Sequence, residues 1–363
     1  MLSGREGKAE PNILLRNRQL WIGILGTALF LGLFFAFTNL REMGEALADA
    51  NYWWFAPAIG VWFVSAWFRS LRWRYLLQPM GSFSTQTLYP IVVIGYMANN
   101  LLPARTGELV RAYIMDKRHG LSIMATLGTI AVERLFDGLV LVVFLIAVGA
   151  FVGLSQELGI LAAAMSATFV VIFALFLFMA SSQERAERWL ARLLRFLPAR
   201  IQEKGSQWAS SFIVGLSALQ SPWRIAAVLV TSVVAWALEA TMYFMVGVSF
   251  GLGEAFPIFM MVAAAANLAI TLPSTSGGIG PFELLTKETL EFVGVRGGVA
   301  GAYAAALHAL VLLPVVAAGL VFLWVINLSL GEALRRPAQP KLAGPKVGRP
   351  AGPSVGLEGE ESE

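Results

Sequence analysis

The chain contains no cysteine and only two histidines, His119 and His308. That removes disulfides, thiol nucleophiles, thiolate metal centres and any histidine-rich metal site. Charge is scarce as well: 14% of residues are Asp, Glu, Lys or Arg, where soluble domains carry about 25%. No GxxxxGK[ST] phosphate loop occurs, which excludes ATP hydrolysis by that route. No metal or cofactor is therefore expected. The net charge of +4 is spread over loops and gives no nucleic-acid signature.

What is present is apolar sequence, 57% of the 363 residues, with 24 Phe and 11 Trp. Mean hydropathy is +0.68. The apolar runs are continuous over about twenty residues, as spanning helices require, not alternating in segments of about ten as in barrels. The expected fold is an all-α polytopic helical membrane protein.

Three parts follow from composition: a basic segment at 1–19, a transmembrane domain at 20–330, and a Pro/Gly-rich tail at 331–363 that should be disordered. Apolar runs at 20–40, 53–68, 121–154, 158–180, 225–250 and 299–327 read as about six full spans. Between the first two lies an acidic loop, 41–52. Arg69, Arg72 and Arg74 then mark the end of the second as cytoplasmic. Residues 183–224 are rich in arginine, and Ala186, Leu190, Leu193, Leu194 and Leu197 recur at helical spacing opposite the charges. This reads as an interfacial helix. Counting signs places both termini in the cytoplasm and the protein in the cytoplasmic membrane.

Two stretches break the apolar pattern. ANNLLPARTGELVRAYIMDKR, residues 98–118, packs Asn, Pro, Gly and charge between apolar flanks; NLAITLPSTSGGIGPFE, residues 267–283, has the same grammar. Polar, helix-breaking sequence is costly in lipid unless it lines a protein interior or cavity. Each stretch reads as a re-entrant helical hairpin. Pro103 and Pro273 end the incoming half-helices, since neither has an N–H to donate. The glycines Gly277, Gly278 and Gly280 let the backbone turn. The first hairpin opens from the cytoplasm and the second from outside, which makes the pair an inverted repeat. Glu108 and Glu133 are 25 residues apart, as are Glu283 and His308.

Returning half-helices would aim free N–H groups at the membrane interior, which favours an anion. Asn100, Pro103, Arg105, Gly107, Glu108, Arg111 and Arg134 on one side, and Asn267, Pro273, Gly277, Gly278, Gly280 and Glu283 on the other, are the candidate substrate-binding residues. Arg105 and Arg111 could grip a phosphate bidentately, or instead pair with carboxylates such as Glu108, Asp116 or Glu133. Glu133, Asp137, Glu239 and His308 are candidate proton carriers, because ionisable groups inside membrane helices line polar paths or pair with one another.

The motif Asn100-x-Leu102-Pro103-x-Arg105-x-Gly107-Glu108-x-x-Arg111, then Glu133-Arg134-x-x-Asp137, resembles the membrane domain of lysylphosphatidylglycerol synthase/flippase proteins. Pro273, Gly277, Gly278, Gly280 and Glu283 resemble that family's second signature. The resemblance spans roughly residues 15–330. It implies a flippase-like integral membrane protein that handles membrane lipids with anionic or modified polar headgroups. Bifunctional members append a synthase domain that transfers an aminoacyl group; only a short tail follows Gly331 here, so that activity is not expected. An enzyme, or an accessory subunit working with a lipid-synthesis enzyme or glycosyltransferase, stays open as the alternative. Neither the lipid nor the oligomeric state follows from the sequence.

Overall fold

The computed structural model describes residues 18–102, 106–153, 156–194, 199–270 and 276–328. Pro103, Arg105 and Pro273 lie outside the described residues, as do nearly all of 1–19 and all of 331–363. Everything described is helix, turn or loop, with no strand.

Helix α1 (Arg18–Ala36) turns by 85° into the short amphipathic α2 (Leu40–Asp49). The acidic 41–52 segment is thus a helix rather than a loop: Asn39 caps it by accepting the Glu42 N–H, and Glu42 sits in its first turn, where the helix dipole favours a carboxylate. Next comes α3 (Phe55–Leu77), which runs well past the apolar stretch that ends at Phe68. The first broken pair is α4 (Thr85–Leu101) and α5 (Gly107–His119), followed by the long α6 (Ile123–Val152). After α7 (Gln156–Ser181) the chain bends by 114° into α8 (Gln183–Leu194), then α9 (Ala199–Gly215). Arg185, Arg188 and Arg192 of α8 are exposed and Ala186 is buried. Finally α10 (Pro222–Ser249), the second broken pair α11 (Phe256–Ala269) and α12 (Pro281–Phe292), and α13 (Gly297–Val325) complete the bundle.

Two helices, α10 and α13, are long and apolar enough to cross a membrane, and up to four spans result if each bent pair counts as one. Helices α3 and α6 have 23 and 30 residues, enough length to cross, but both carry charge in their interiors. Large apolar side chains face outward: Leu29, Val171 and Leu313 are all well exposed, and Trp324 at the end of α13 is 80% exposed. A bundle whose apolar surface points out and whose charges point in is built for lipid, not water.

The helices pack in an ordered way. Helix α3 lies along α10 at the centre, α4 along α13, and α11 along α6. Buried apolar residues form two main clusters. One holds Trp73, Leu88, Met97, Ile114 and Phe136; the other holds Trp62, Tyr243, Phe259, Phe282 and Tyr303. On α3 the clusters are separated by Arg69, Ser70 and Arg72, all buried. The polar centre of the molecule lies between them.

Candidate functional site

The arms α4 and α5 approach closely because two glycines face one another. A Cβ on Gly107 would strike the carbonyl of Gly95 and the side chain of Asn99, and one on Gly95 would meet the stem of Arg111. Asn99 Oδ1 accepts the Gly107 N–H at 2.8 Å, satisfying one of the donors exposed at the start of α5. With the backbone so close, Arg111 runs across Gly95 into the bundle and is only 2% exposed.

There Arg111 meets Glu133 of α6 through two parallel N–H···O bonds of 3.1 and 2.9 Å, with its guanidinium 4.0 Å from the ring centre of Trp73. Arg72 of α3 shares Glu133 at 3.1 Å and holds Asp137 and Ser232 as well. Asp137 also accepts the Trp236 indole N–H at 2.8 Å. Arg69, one turn before Arg72, donates to Glu239 at 2.6 Å and to Tyr96 at 3.3 Å, and lies 4.4 Å over Trp236. At the edge, Arg134 faces Glu108 at 3.4 Å and Asp137 at 3.3 Å. Arg134 and Glu108 keep 30% and 20% of their side chains exposed, so the network opens to the outside there and is sealed elsewhere.

Four guanidiniums thus face four carboxylates, Glu108, Glu133, Asp137 and Glu239, contributed by α3, α5, α6 and α10. Formal charge balances. Charges buried at such cost persist when each is paired and hydrogen-bonded.

The second polar centre is smaller. Glu283 in the first turn of α12 accepts the Gly280 N–H at 2.7 Å through Oε2 and lies 2.6 Å from His308 Nδ1 through Oε1. His308 Nε2 donates to the Gly277 carbonyl at 3.0 Å, and the Phe282 ring stacks on the imidazole. Asn267 donates to the Tyr243 hydroxyl at 3.2 Å and to the Ala263 carbonyl at 2.9 Å. The described ends of the two breaks meet. A Cβ on Gly277 would come within 3.6 Å of the Asn100 carbonyl, and the 276–278 turn packs on α4.

The equal spacing noted in the sequence has two outcomes. Glu283 and His308 do touch. Glu108 and Glu133 do not form the equivalent pair: Glu108 turns to Arg134, one residue on, and Glu133 takes Arg111 and Arg72 instead. Two carboxylates have no bond to make unless one is protonated, so each finds a guanidinium. The Glu133–Arg111 bridge is the outcome for Arg111; Asp116 is exposed at the far end of α5.

Sequence reading missed Arg69 and Arg72 as members of this centre. Counted as topological markers, they are 5% and 0% exposed, whereas Arg74 is exposed as expected of a loop-side charge. The signal was available: Ser65, Arg69 and Arg72 recur at i, i+4 and i+7, one face of a helix that continues past them. Among the described residues, no group of three His, Asp or Glu is placed to hold a metal ion.

The profile of the family described as "Lysylphosphatidylglycerol synthase TM region" matches residues 20–319, most of the chain and both broken pairs. The chain belongs to this family. It is a multi-pass membrane protein with helical apolar spans. Among curated relatives, "Glycosyltransferase AglD" of Haloferax volcanii is 26% identical over 72% of this chain and 47% of its own. The chain therefore spans about half the length of that protein. Two proteins called "UPF0104 membrane protein" in Methanothermobacter thermautotrophicus are 24% and 22% identical. They match 72% and 65% of this chain and 82% and 72% of their own lengths. No solved structure matches.

Proposed function

We propose that this protein is a flippase-like transporter that carries a lipid with an anionic or modified polar headgroup between leaflets, its acyl chains remaining in the bilayer. The observation that carries the reading is the meeting of Asn100 with Gly277, where two interrupted helices converge inside the bundle. Interrupted helices bring free N–H groups to mid-membrane, where a headgroup can replace water.

The proposed topology has six full spans and two re-entrant hairpins in an inverted repeat, both termini lying in the cytoplasm and the protein in the cytoplasmic membrane. The exchange of partners supports it: α3–α6 and α10–α13 each run long, short, short, long, and α4 packs on α13 as α11 packs on α6. Around the headgroup would stand Asn100, Gly107, Asn267, Gly277, Gly278 and Gly280, with Pro103 and Pro273 shaping the turns. Arg105 and Arg111 would supply the positive charge. Because Arg111 is engaged by Glu133, a phosphate would have to compete with that carboxylate, which would link binding to loosening of the α5–α6 bridge. Movement would be downhill or ion-coupled, with Glu108, Glu133, Asp137, Glu239, Glu283 and His308 as candidate carriers.

Purified protein in liposomes, with labelled phosphatidylglycerol, aminoacylated phosphatidylglycerol and a polyprenyl-linked sugar offered in turn, tests the reading. Faster transbilayer movement of at least one of them, with or without a proton gradient, is expected; none for any of the three would overturn it. The name of the Haloferax relative favours a second reading, an accessory role in lipid-linked glycan synthesis. That role predicts a deletion strain in which a lipid is missing rather than confined to the wrong leaflet.

A further inference from the structure

Among the described residues of the turn between α11 and α12, Gly277 is fastened to α13 by His308. Gly277, Gly278 and Gly280 have φ of +74°, +78° and +101°, a run of left-handed backbone that only glycine takes without strain. Such a turn has little stiffness of its own. Thr27 of α1 donates to the Ile279 carbonyl at 3.1 Å, and the Gly277 carbonyl is held by His308, buried at 3% exposure, whose Nε2 reaches it while Nδ1 faces Glu283.

Hydrogen counting constrains this pair. A carbonyl oxygen has no hydrogen to give, so Nε2 must carry one. A second hydrogen must lie between Nδ1 and Oε1 at 2.6 Å, on the nitrogen in an imidazolium–carboxylate pair or on the oxygen in a neutral one. Either way the two side chains together hold two hydrogens for two contacts. Take one away and one contact becomes lone pair against lone pair. The contact with Glu283 is charge-assisted and shorter, so Nδ1 keeps the remaining hydrogen. The Gly277 carbonyl then loses its donor.

Among the described residues, few charges surround the pair. On α12, Lys287 is one turn beyond Glu283 and is held by Glu288 at 3.2 Å and Glu291 at 2.8 Å. From α10 and α13 the nearby titratable groups are Tyr243 and Tyr303, the latter bonded to the Tyr243 carbonyl at 2.9 Å. Helices α4 and α11 carry no Asp, Glu, Lys or Arg, and α1 carries only Arg18 at its first position. Among the described residues, Glu283 and His308 have no other charged group in hydrogen-bond contact.

We propose that Glu283 and His308 form a proton-binding site, in which one dissociable proton fastens the Gly277 turn to α13 and its release frees the turn that abuts Asn100. The site stands whether or not a lipid is moved, because neither its geometry nor its test involves one.

The test uses the two-histidine composition. In the His119→Gln chain, ¹⁵N-histidine reports His308 alone, and its imidazole spectrum in lipid nanodiscs should show Nε2 losing its proton in a single transition as the pH is raised. In parallel, Ser276→Cys gives a thiol at the turn of a cysteine-free chain. Its labelling by a maleimide, normalised to Gly44→Cys on an exposed face of α2, should rise about five-fold across the same transition. Glu283→Gln separates the latch from general loosening. Its amide oxygen can still accept from Gly280 while its NH₂ donates to Nδ1, so neutral His308 keeps Nε2–H on Gly277. Labelling at Ser276→Cys should then stay low at every pH. One unchanging protonation state of His308 at every pH at which the protein stays folded, or a labelling transition that persists in Glu283→Gln, overturns the proposal. Should the Gln variant fail to fold, the nitrogen spectrum decides alone.

Discussion

Arg72 has no exposed surface, and its guanidinium serves Asp137, Glu133 and Ser232 at once. Its removal takes one guanidinium from Glu133, which keeps Arg111, and from Asp137, which keeps Arg134 and Trp236, and leaves the buried centre with one negative charge in excess. Truncating one partner of a buried ion pair costs about 3–5 kcal/mol, so Arg72→Ala should lower the unfolding temperature in detergent sharply and reduce folded yield. The pair Arg111–Glu133 allows a cleaner reading, because one bidentate contact joins them. Arg111→Gln and Glu133→Gln should each destabilise the protein, and the double variant should cost less than the sum, with a coupling of about 1–3 kcal/mol. Additive losses would mean that the two side chains act independently. At this scale the sequence was legible in part. Glu133, Asp137 and Glu239 stood out because charge inside an apolar run always does. Arg69 and Arg72 did not, because a positive charge near the end of an apolar run has two readings, and only the face it occupies on the helix separates them.

Between elements, the decisive contact is that of α4 with α5. Gly95 and Gly107 leave no room for a side chain, and that is what lets Arg111 enter the bundle. Gly107→Ala should therefore destabilise the protein by about 1–3 kcal/mol through overpacking, with loss of the Gly107–Asn99 bond. Gly60 in α3 is the control: a Cβ there meets nothing, so Gly60→Ala should be neutral or stabilising by less than about 1 kcal/mol. Equal damage from both would contradict the close approach. The four short helices were readable because Pro and Gly punctuate them: the returning half-helix expected of the second hairpin is α12, Pro281–Phe292. The α2 helix was missed although its pattern is present: Leu40, Met43 and Leu47 recur at helical spacing opposite Arg41, Glu45 and Asp49, but in ten residues the acidic charge was read as that of a loop. What stabilises it is distant in sequence: Glu42 accepts the Gly298 N–H and pairs with Arg296 at the start of α13.

Over the whole molecule, two helix breaks far apart in the chain come together in one interior. Sequence could suggest that they belong together through their similar grammar, but not that they touch, since contact depends on how α4 lies along α13 and α11 along α6. The direct measurement is a reversible crosslink between them. In a chain with no native cysteine, Asn100→Cys with Gly277→Cys places two thiols at the meeting point, and mild oxidation should join them. In liposomes, lipid movement by the reduced double variant, lowered by the strain of a side chain at Gly277, should still exceed that of protein-free vesicles, stop on oxidation, and return when the bond is reduced. A crosslink that forms yet leaves lipid movement unchanged would contradict the claim that lipid passes where the breaks meet.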